Sequence, residues 1–519
     1  MGEIKMKRLP IGIQDFRKLR ENDYFYIDKT EYYYDFFVKG GYYFLSRPRR
    51  FGKSILVSTL KEIFSGSKEL FEGLWIEDKI TWEKHPVILI DFNTVVHDRD
   101  IEEFDSTLAK NLCDIAKEYH VELKNANPKF MLKELILSLS KINKVVLLVD
   151  EYDKPIIDYM HDIEKANRNR EYLSSFYEVI KGMDAHLQFV LLTGVTKFNK
   201  VSIFSKLNNL FDITLSADYA GMLGITEKEL YDNFGDYFTL VKEKLNFPED
   251  ILKDKIRTWY NGYSWDGEVS VYNPFSLLCF FQEKKFSNYW FETGTPTFLI
   301  NMMKNYNYDL TNLESSEVTA YSFNSYDAES IEVIPLMFQT GYLTIKSTRM
   351  SFMDETLYRL STPNYEVKQS LLHHIMGSYT GIGITQANPP YMKMVEFLYK
   401  EKLDDFMKYL QSAFSALPYT LYPKREDYYH SIFYLILALL GANIDIEVLT
   451  DKGRIDGVIE FDDKLYVIEF KIGKAIDGMK QIKARKYWEK FYLKGKKIIL
   501  LSVGNFDDKE LEYIWENID

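Results

Sequence analysis

The sequence predicts an α/β fold in three parts: a parallel sheet with helices on both faces, a mainly helical middle, and a small C-terminal α/β unit. Three observations predict it. Four short apolar runs punctuate the first 215 residues: Tyr42–Leu45, Pro86–Phe92, Lys144–Asp150 and Phe189–Gly194. They are continuous rather than alternating, the pattern of strands buried on both faces of a sheet. Helical patterns such as Ser54–Ile63 and Ala109–Tyr119 lie between them, supplying the crossovers that parallel strands need. Beyond Gly453 short strands return, with one amphipathic helix among them.

From about residue 220 to 415 the pattern is mainly helical, with aromatic and loop-rich interruptions. Trp259–Trp265 and Tyr272–Ser276 are turn-like. Met337–Ile345 reads as a helix that ends at Gly341 and runs into a strand, and Asn388–Met392 breaks the chain before the last part. The tail reads as a helix (Arg425–Leu440), alternating strands, an amphipathic helix (Ala475–Lys490) and a final strand (Lys496–Gly504). The expected domains are 1–215, a helical lid at 216–300, a mainly helical, winged-helix-like linker at 301–414, and 415–519. His373 and His374 are adjacent on a helical stretch, so they face different directions and form a poor metal pair.

Composition narrows the function. At 519 residues the chain has room for two to four domains with sizeable cores. Cys113 and Cys279 stand alone, so neither a disulfide framework nor a cysteine zinc site is available and a reducing cytoplasm is expected. The start MGEIKMKRLP lacks the apolar core of a signal peptide, and Met6 stands where myristoylation wants Ser or Thr. No apolar run has the length of a membrane span, so no membrane partner is expected. A net charge of −12 argues against a chain coated for nucleic acid. Yet Lys464–Lys497 carries a local excess of eight positive charges. That stretch is either a binding face or a solvated helix.

The stretch SRPRRFGKSIL, Ser46–Leu56, lies between the first apolar run and the first helical pattern. It ends like the phosphate-binding pattern G-x-x-x-x-G-K-[ST], but Arg47 stands at the first glycine. A helix opening here aims free N–H groups and a positive dipole at phosphate oxygens. Gly52 lets the backbone approach, Lys53 reaches the β and γ phosphates, and Ser54 can ligate Mg²⁺. Arg47, Pro48, Arg49, Arg50 and Phe51 complete the loop, the arginines being expected to add charge near the phosphates. The third apolar run ends in Asp150, with Glu151 next, placed to hold Mg²⁺ with Ser54 and to polarise the attacking water respectively. Asp153 is either a metal ligand or the start of the next segment. Thr193 and Thr196, after the fourth run, either sense the γ-phosphate or simply end a strand.

In the tail, Arg454–Phe461 and Lys464–Lys471 read as a hairpin. With Asp462 and Asp463 as a two-residue turn, Asp456 falls directly opposite Glu469. Their Cβ atoms would lie about 5 Å apart on one face, where like charges need a cation or a proton. Lys471, two residues beyond Glu469, shares that face. Acid, acid and amine form a set suited to Mg²⁺ and a developing phosphate charge.

Six stretches carry a resemblance. YIDKT (Tyr26–Thr30), RPRRFGKS (Arg47–Ser54), VDEYDKP (Val149–Pro155), TGVTKF (Thr193–Phe198), YNGY (Tyr260–Tyr263) and YNP (Tyr272–Pro274) resemble the bacterial AAA-ATPase-like family over about residues 5–290. The resemblance implies a P-loop NTPase of the AAA/STAND type, and it makes Arg-Pro-Arg-Arg a family trait. Family members commonly carry a C-terminal PD-(D/E)xK nuclease-like domain of restriction-endonuclease-like fold. Asp456, Glu469 and Lys471 match its D…ExK residues. Glu426 would complete that metal site, with His430 one turn later. Gln481, Lys483 and Tyr487 are the implied nucleic-acid contacts. The YNGY aromatics either contact adenine or pack the lid.

The expected function is an Mg²⁺-dependent ATPase or ATP-binding switch that regulates a nuclease-like domain binding or cleaving nucleic acid. The cofactors are ATP and Mg²⁺, with Mn²⁺ an alternative at the C-terminal site, and a homo-oligomer is compatible with the class. The rival is an ATP-gated signalling or scaffold protein whose tail is a non-catalytic interaction module.

Overall fold

The computed structural model describes residues 6–97, 100–160, 162–197, 209–290, 299, 317–324, 326–327, 330–331, 333–380, 393–415, 443–450, 453–505 and 510–518. Two compact units divide the chain: Met1–Leu299 with Ser315–Val367, and Ile300–Glu314 with Lys368–Asp519.

The first unit is built on a five-stranded sheet of β1 (Gly41–Ser46), β2 (Val87–Asp91), β3 (Val145–Asp150), β4 (Leu187–Gly194) and β5 (Phe211–Asp212), ordered β2-β3-β4-β1-β5. Every pairing is parallel. The four apolar runs are its four long strands. All six residues of β3 are buried, which explains its unbroken hydrophobicity. The crossovers are helical: α1 (Lys53–Phe64), α2 (Ile101–Glu118), α3 (Pro128–Leu139) and α4 (Ile163–Lys181). Their starts follow capping chemistry, with Asp100 accepting from the Glu103 N–H and Asn127 capping the helix that opens at Pro128. α1 packs Leu56, Leu60 and Ile63 against Leu45, Val146 and Leu191, joining helix, β1, β3 and β4 in one core. Burying each such side chain stabilises the fold by about 1.5–3 kcal/mol.

A second core gathers α5 (Glu249–Tyr260), α6 (Pro274–Glu283) and the helix Glu227–Asn233, with Leu252, Ile256, Phe280 and Leu230 inside. After α7 (Val333–Thr340) come the strand expected beyond Gly341 and a second strand absent from the helical expectation. With β6 (Glu317–Thr319), β7 (Thr344–Met350) and β8 (Thr356–Ser361) form an antiparallel sheet ordered β7-β8-β6. The turn at Gly341 has φ 90°, so the helix-to-strand change read from the sequence occurs there.

In the second unit a mixed sheet contains β9 (Asn443–Thr450), β10 (Gly453–Glu460), β11 (Lys464–Phe470), β12 (Lys497–Gly504) and β13 (Glu512–Ile518) in chain order. Only β11 and β12 are parallel, and α8 (Ala475–Arg485) makes their crossover. The β10–β11 register pairs Gly457 with Ile468 and Glu460 with Leu465, as the two-residue turn at Asp462–Asp463 requires. Two expectations need correction. Lys496–Gly504 is not the final strand, because β13 adds an antiparallel edge. The helix from Ala475 stops at Arg485, where Lys486 turns left-handed at φ 48°, and a 3₁₀ segment continues over Tyr487–Lys494. The helix read at Arg425–Leu440 lies outside the described residues.

Candidate functional site

In the first unit, β1 ends at Ser46, the loop runs through Gly52, and α1 opens at Lys53. Gly52 has φ 90° with open space around a built Cβ, so backbone conformation rather than crowding selects glycine. Arg50 holds φ 70°, a strained value for a side-chain-bearing residue and one often stored at functional loops. Lys53 is buried, and its Nζ donates to the carbonyls of Arg47 (3.1 Å) and Pro48 (3.2 Å). The same ammonium lies 3.5 Å from Glu151 Oε1. Ser54 Oγ donates to Asp150 Oδ2 at 2.6 Å, and Thr193 Oγ1 donates to Asp150 Oδ1 at 2.5 Å. Burial raises the Asp150 pKa, while the hydrogen bonds from Ser54 and Thr193 pull it back.

Gly52, Lys53, Ser54 and Glu151 border a cavity of about 510 Å³, with Asp150 behind Ser54, within the range of small-molecule sites. Arg49, Arg50, Lys53, Ser54 and Glu151 line one part of it. Pro10, Ile11, Ile13, Phe25, Met222 and Leu278 line an apolar part. Asp91 and Asn93 at the end of β2, and Lys154 after β3, also face it. Sequence reasoning missed those three, although the second apolar run ended in an acid as the third did. Lys29 of YIDKT is a further wall residue, fixed through Nζ to the Gly221 carbonyl (2.8 Å) and to Glu229 (2.7 Å).

In the second unit, β10 and β11 bring Asp456 beside Glu469, and Asp456 Oδ2 accepts the Phe470 N–H at 2.8 Å. Lys471 extends β11 by donating its N–H to the Val503 carbonyl, and its Nζ lies 3.1 Å from Glu469 Oε1. Gln481 from α8 also donates to Glu469 Oε1. Tyr487 lies next to Gln481 and takes a 3.1 Å hydrogen bond from Arg485. Glu469 is only 1% exposed, and its Oε2 has no partner among the described residues. Burial first, then the charge of Asp456, pushes its pKa up to about 7. An orphan carboxylate oxygen beside a second acid fits a divalent cation of oxygen-ligand chemistry, held by Asp456 and Glu469. Glu426 and His430 lie outside the described residues, and among those described no group of three or more His, Cys, Asp or Glu is arranged for a metal.

A family model described as "Predicted AAA-ATPase" matches residues 10–204, and one for the PD-(D/E)XK nuclease superfamily matches residues 424–516. A protein of Azotobacter chroococcum mcd 1, described as "Uncharacterized protein in vnfD 5'region", is 38% identical over 515 residues, covering 96% of each chain. The chain belongs to the AAA-ATPase-like family. Its C-terminal domain is of the PD-(D/E)XK nuclease superfamily.

Within this AAA-ATPase-like chain several side chains stand elsewhere than expected. Arg47 adds no charge at the phosphate cavity. Its guanidinium is buried, donates to the carbonyls of Ser46 (2.9 Å) and Thr214 (2.7 Å), and lies 4.0 Å over the Trp265 ring. Arg50 lies over Phe275 at 4.4 Å, whereas Arg49 is exposed along the cavity wall. Phe51 packs edge-on to Tyr263 and Trp265, which makes Tyr263 of YNGY a packing residue. Tyr260 is buried against Phe280 and Phe286 and is likewise used in packing.

Asp153 is held by the chain through one carboxylate oxygen, while its buried Oδ1 has no hydrogen-bond partner among the described residues. Its Oδ2 accepts the N–H groups of Val195 (3.0 Å) and Thr196 (2.6 Å) and the Thr196 hydroxyl (2.7 Å). Thr196 is thereby turned from the cavity, while Thr193 stands on Asp150. Lys483 pairs with Glu516 of β13 and is not drawn to Glu469. The basic stretch is neutralised in part by acids outside it, since Lys494 and Lys496 pair with Glu460 and Lys497 with Glu401. His373 Nδ1 is taken by the Gln369 carbonyl. Gly478 on α8 was overlooked: a Cβ there would overlap Ser502 Oγ and crowd Lys471 and Glu469. A glycine in mid-helix was its signal.

Proposed function

We propose that the protein is a cytoplasmic, Mg²⁺-dependent ATPase switch whose nucleotide state regulates a C-terminal domain that binds or cleaves nucleic acid. The observation carrying this reading is the 2.6 Å hydrogen bond between Ser54 and Asp150 at the mouth of α1, with Lys53 and Glu151 beside it. A triphosphate set at the helix N-terminus meets free N–H groups, and the apolar wall from Pro10 to Leu278 suits the base. Bound Mg²⁺, held by Ser54 and Asp150, would supply neutralisation of the β- and γ-phosphate oxygens.

Lys53 now rests on two loop carbonyls and Glu151. Turning to the phosphates, it frees the Glu151 carboxylate to take a proton from water as the water oxygen bonds to the γ-phosphorus. The bond from that phosphorus to the bridging oxygen breaks, and ADP leaves with its electrons. At the second site a divalent ion would supply polarisation of a scissile phosphate. Asp456 and Glu469 would hold that ion, and Lys471 steadies the developing charge on the phosphate.

The test incubates wild type, Lys53→Ala and Lys471→Ala with DNA and with RNA, in MgATP. Cleavage abolished by Lys471→Ala, and altered by Lys53→Ala, supports the reading. Nucleotide-dependent assembly without cleavage, together with normal ATP binding, would transfer the function to the scaffold alternative.

A further inference from the structure

Two residues that make this phosphate loop unusual, Arg47 and Pro48, are absent from the wall of the phosphate cavity and pack instead toward Trp265 and the end of α7. Trp265 is held between two loop residues, with Arg47 on its face at 4.0 Å and Phe51 at its edge, ring centroids 5.3 Å apart. One residue before Trp265, Ser264 is bonded to the start of β7. Its N–H donates to Thr344 Oγ1 at 2.7 Å, and its carbonyl accepts from Thr344 Oγ1 (3.0 Å) and the Ile345 N–H (3.3 Å). Pro48 packs directly on the end of α7, where a Cβ built on Gly341 would lie 2.8 Å from Pro48 Cβ.

A second line reaches the same helix end from the acidic strands. Thr193 of β4 contacts Asp150, and Asp153 clamps Val195 and Thr196 just beyond it. The next residue, Lys197, donates its N–H to Gln339 Oε1 of α7 at 3.2 Å. Gln339 is itself buried, with Nε2 on the Phe323 carbonyl. Thus the phosphate loop and the strand contacting Asp150 meet within three residues, Gln339 to Gly341.

We infer that α7 and the β7–β8 hairpin are the read-out element of the nucleotide site, with Arg47, Pro48 and Lys197 as its links. The inference rests on nucleotide binding at Lys53 and adds the route by which occupancy is transmitted. Lys53 bonds the carbonyls of Arg47 and Pro48, the two loop residues whose side chains hold Trp265 and Gly341. A γ-phosphate competes for that ammonium, so the carbonyls lose their donor and the loop backbone resets. A packed contact has discrete arrangements rather than a continuous response, so the shift passes to α7.

The experiment is hydrogen exchange by mass spectrometry on the full-length protein, with and without saturating Mg·AMP-PNP, occupancy being checked by thermal shift. Amides in residues 337–361 of wild type are expected to change exchange rate by about threefold or more. Gln339→Ala, and separately Gly341→Ala, should bind AMP-PNP yet lose most of that response. Binding without any change at 337–361 in wild type overturns the inference, even if a variant fails to fold. No AMP-PNP binding at all removes the nucleotide reading first, and this inference with it.

Discussion

Arg47 lies over Trp265, 4.0 Å from the ring centroid, in the position where phosphate loops ordinarily carry a glycine. Its buried guanidinium donates to carbonyls about 170 residues away, at Thr214 and Tyr219. Restoring the common motif with Arg47→Gly therefore removes a structural staple and leaves buried carbonyls without donors. The expected loss is about 3 kcal/mol in urea unfolding, with no gain in ATP affinity. Unchanged stability together with weakened ATP binding would return Arg47 to the phosphates.

Lys53→Ala should abolish stabilisation by nucleotide. For wild type at MgATP a hundredfold above Kd, linkage adds about 2.7 kcal/mol, read as a rise in Tm. The variant should unfold at its nucleotide-free temperature with and without MgATP. An equal rise in both proteins would place the nucleotide elsewhere.

The pH response of the C-terminal domain follows from Glu469. Its folded pKa, pushed up to about 7 by burial and then Asp456, exceeds that of an ordinary glutamate. A carboxyl with a raised pKa contributes stability that is present at low pH and lost as pH climbs toward 7. Without divalent ions, the unfolding free energy of this domain from urea melts should fall between pH 5 and 8 by on the order of 1–3 kcal/mol. Glu469→Gln should flatten that fall, and Mn²⁺ should offset it in wild type only. An identical slope in Glu469→Gln would show that another group titrates.

Gly478→Ala should destabilise the C-terminal domain by about 1–3 kcal/mol, since the new methyl overlaps Ser502 Oγ in a packed layer. The MgATP-induced Tm rise of the first unit should persist. A fully stable variant would show that α8 has room to lift from the sheet.

The parallel sheet was legible because β3 is buried throughout and so shows one uninterrupted apolar run. The β10–β11 register was legible because a two-residue turn leaves only one pairing, and Asp456 came to rest beside Glu469. What escaped reading depended on distant partners. Glu401, Glu460 and Glu516 cancel part of the positive charge of Lys464–Lys497 from outside that window. β13 is half exposed and carries Glu512 and Glu516 at an edge, so its pattern is weak. Arg47 reads as a phosphate ligand until Thr214, Tyr219 and Trp265 fold onto it.

The most direct test measures ATPγS binding by calorimetry across a Mg²⁺ titration in wild type and Asp150→Asn. The bond from Ser54 to Asp150 marks where the metal belongs, so Mg²⁺ should tighten wild-type binding by about tenfold or more, roughly 1.4 kcal/mol. Asp150→Asn should keep the weaker, metal-free affinity and lose the tightening. If Mg²⁺ tightens both proteins equally, the triphosphate does not sit between Lys53 and Asp150.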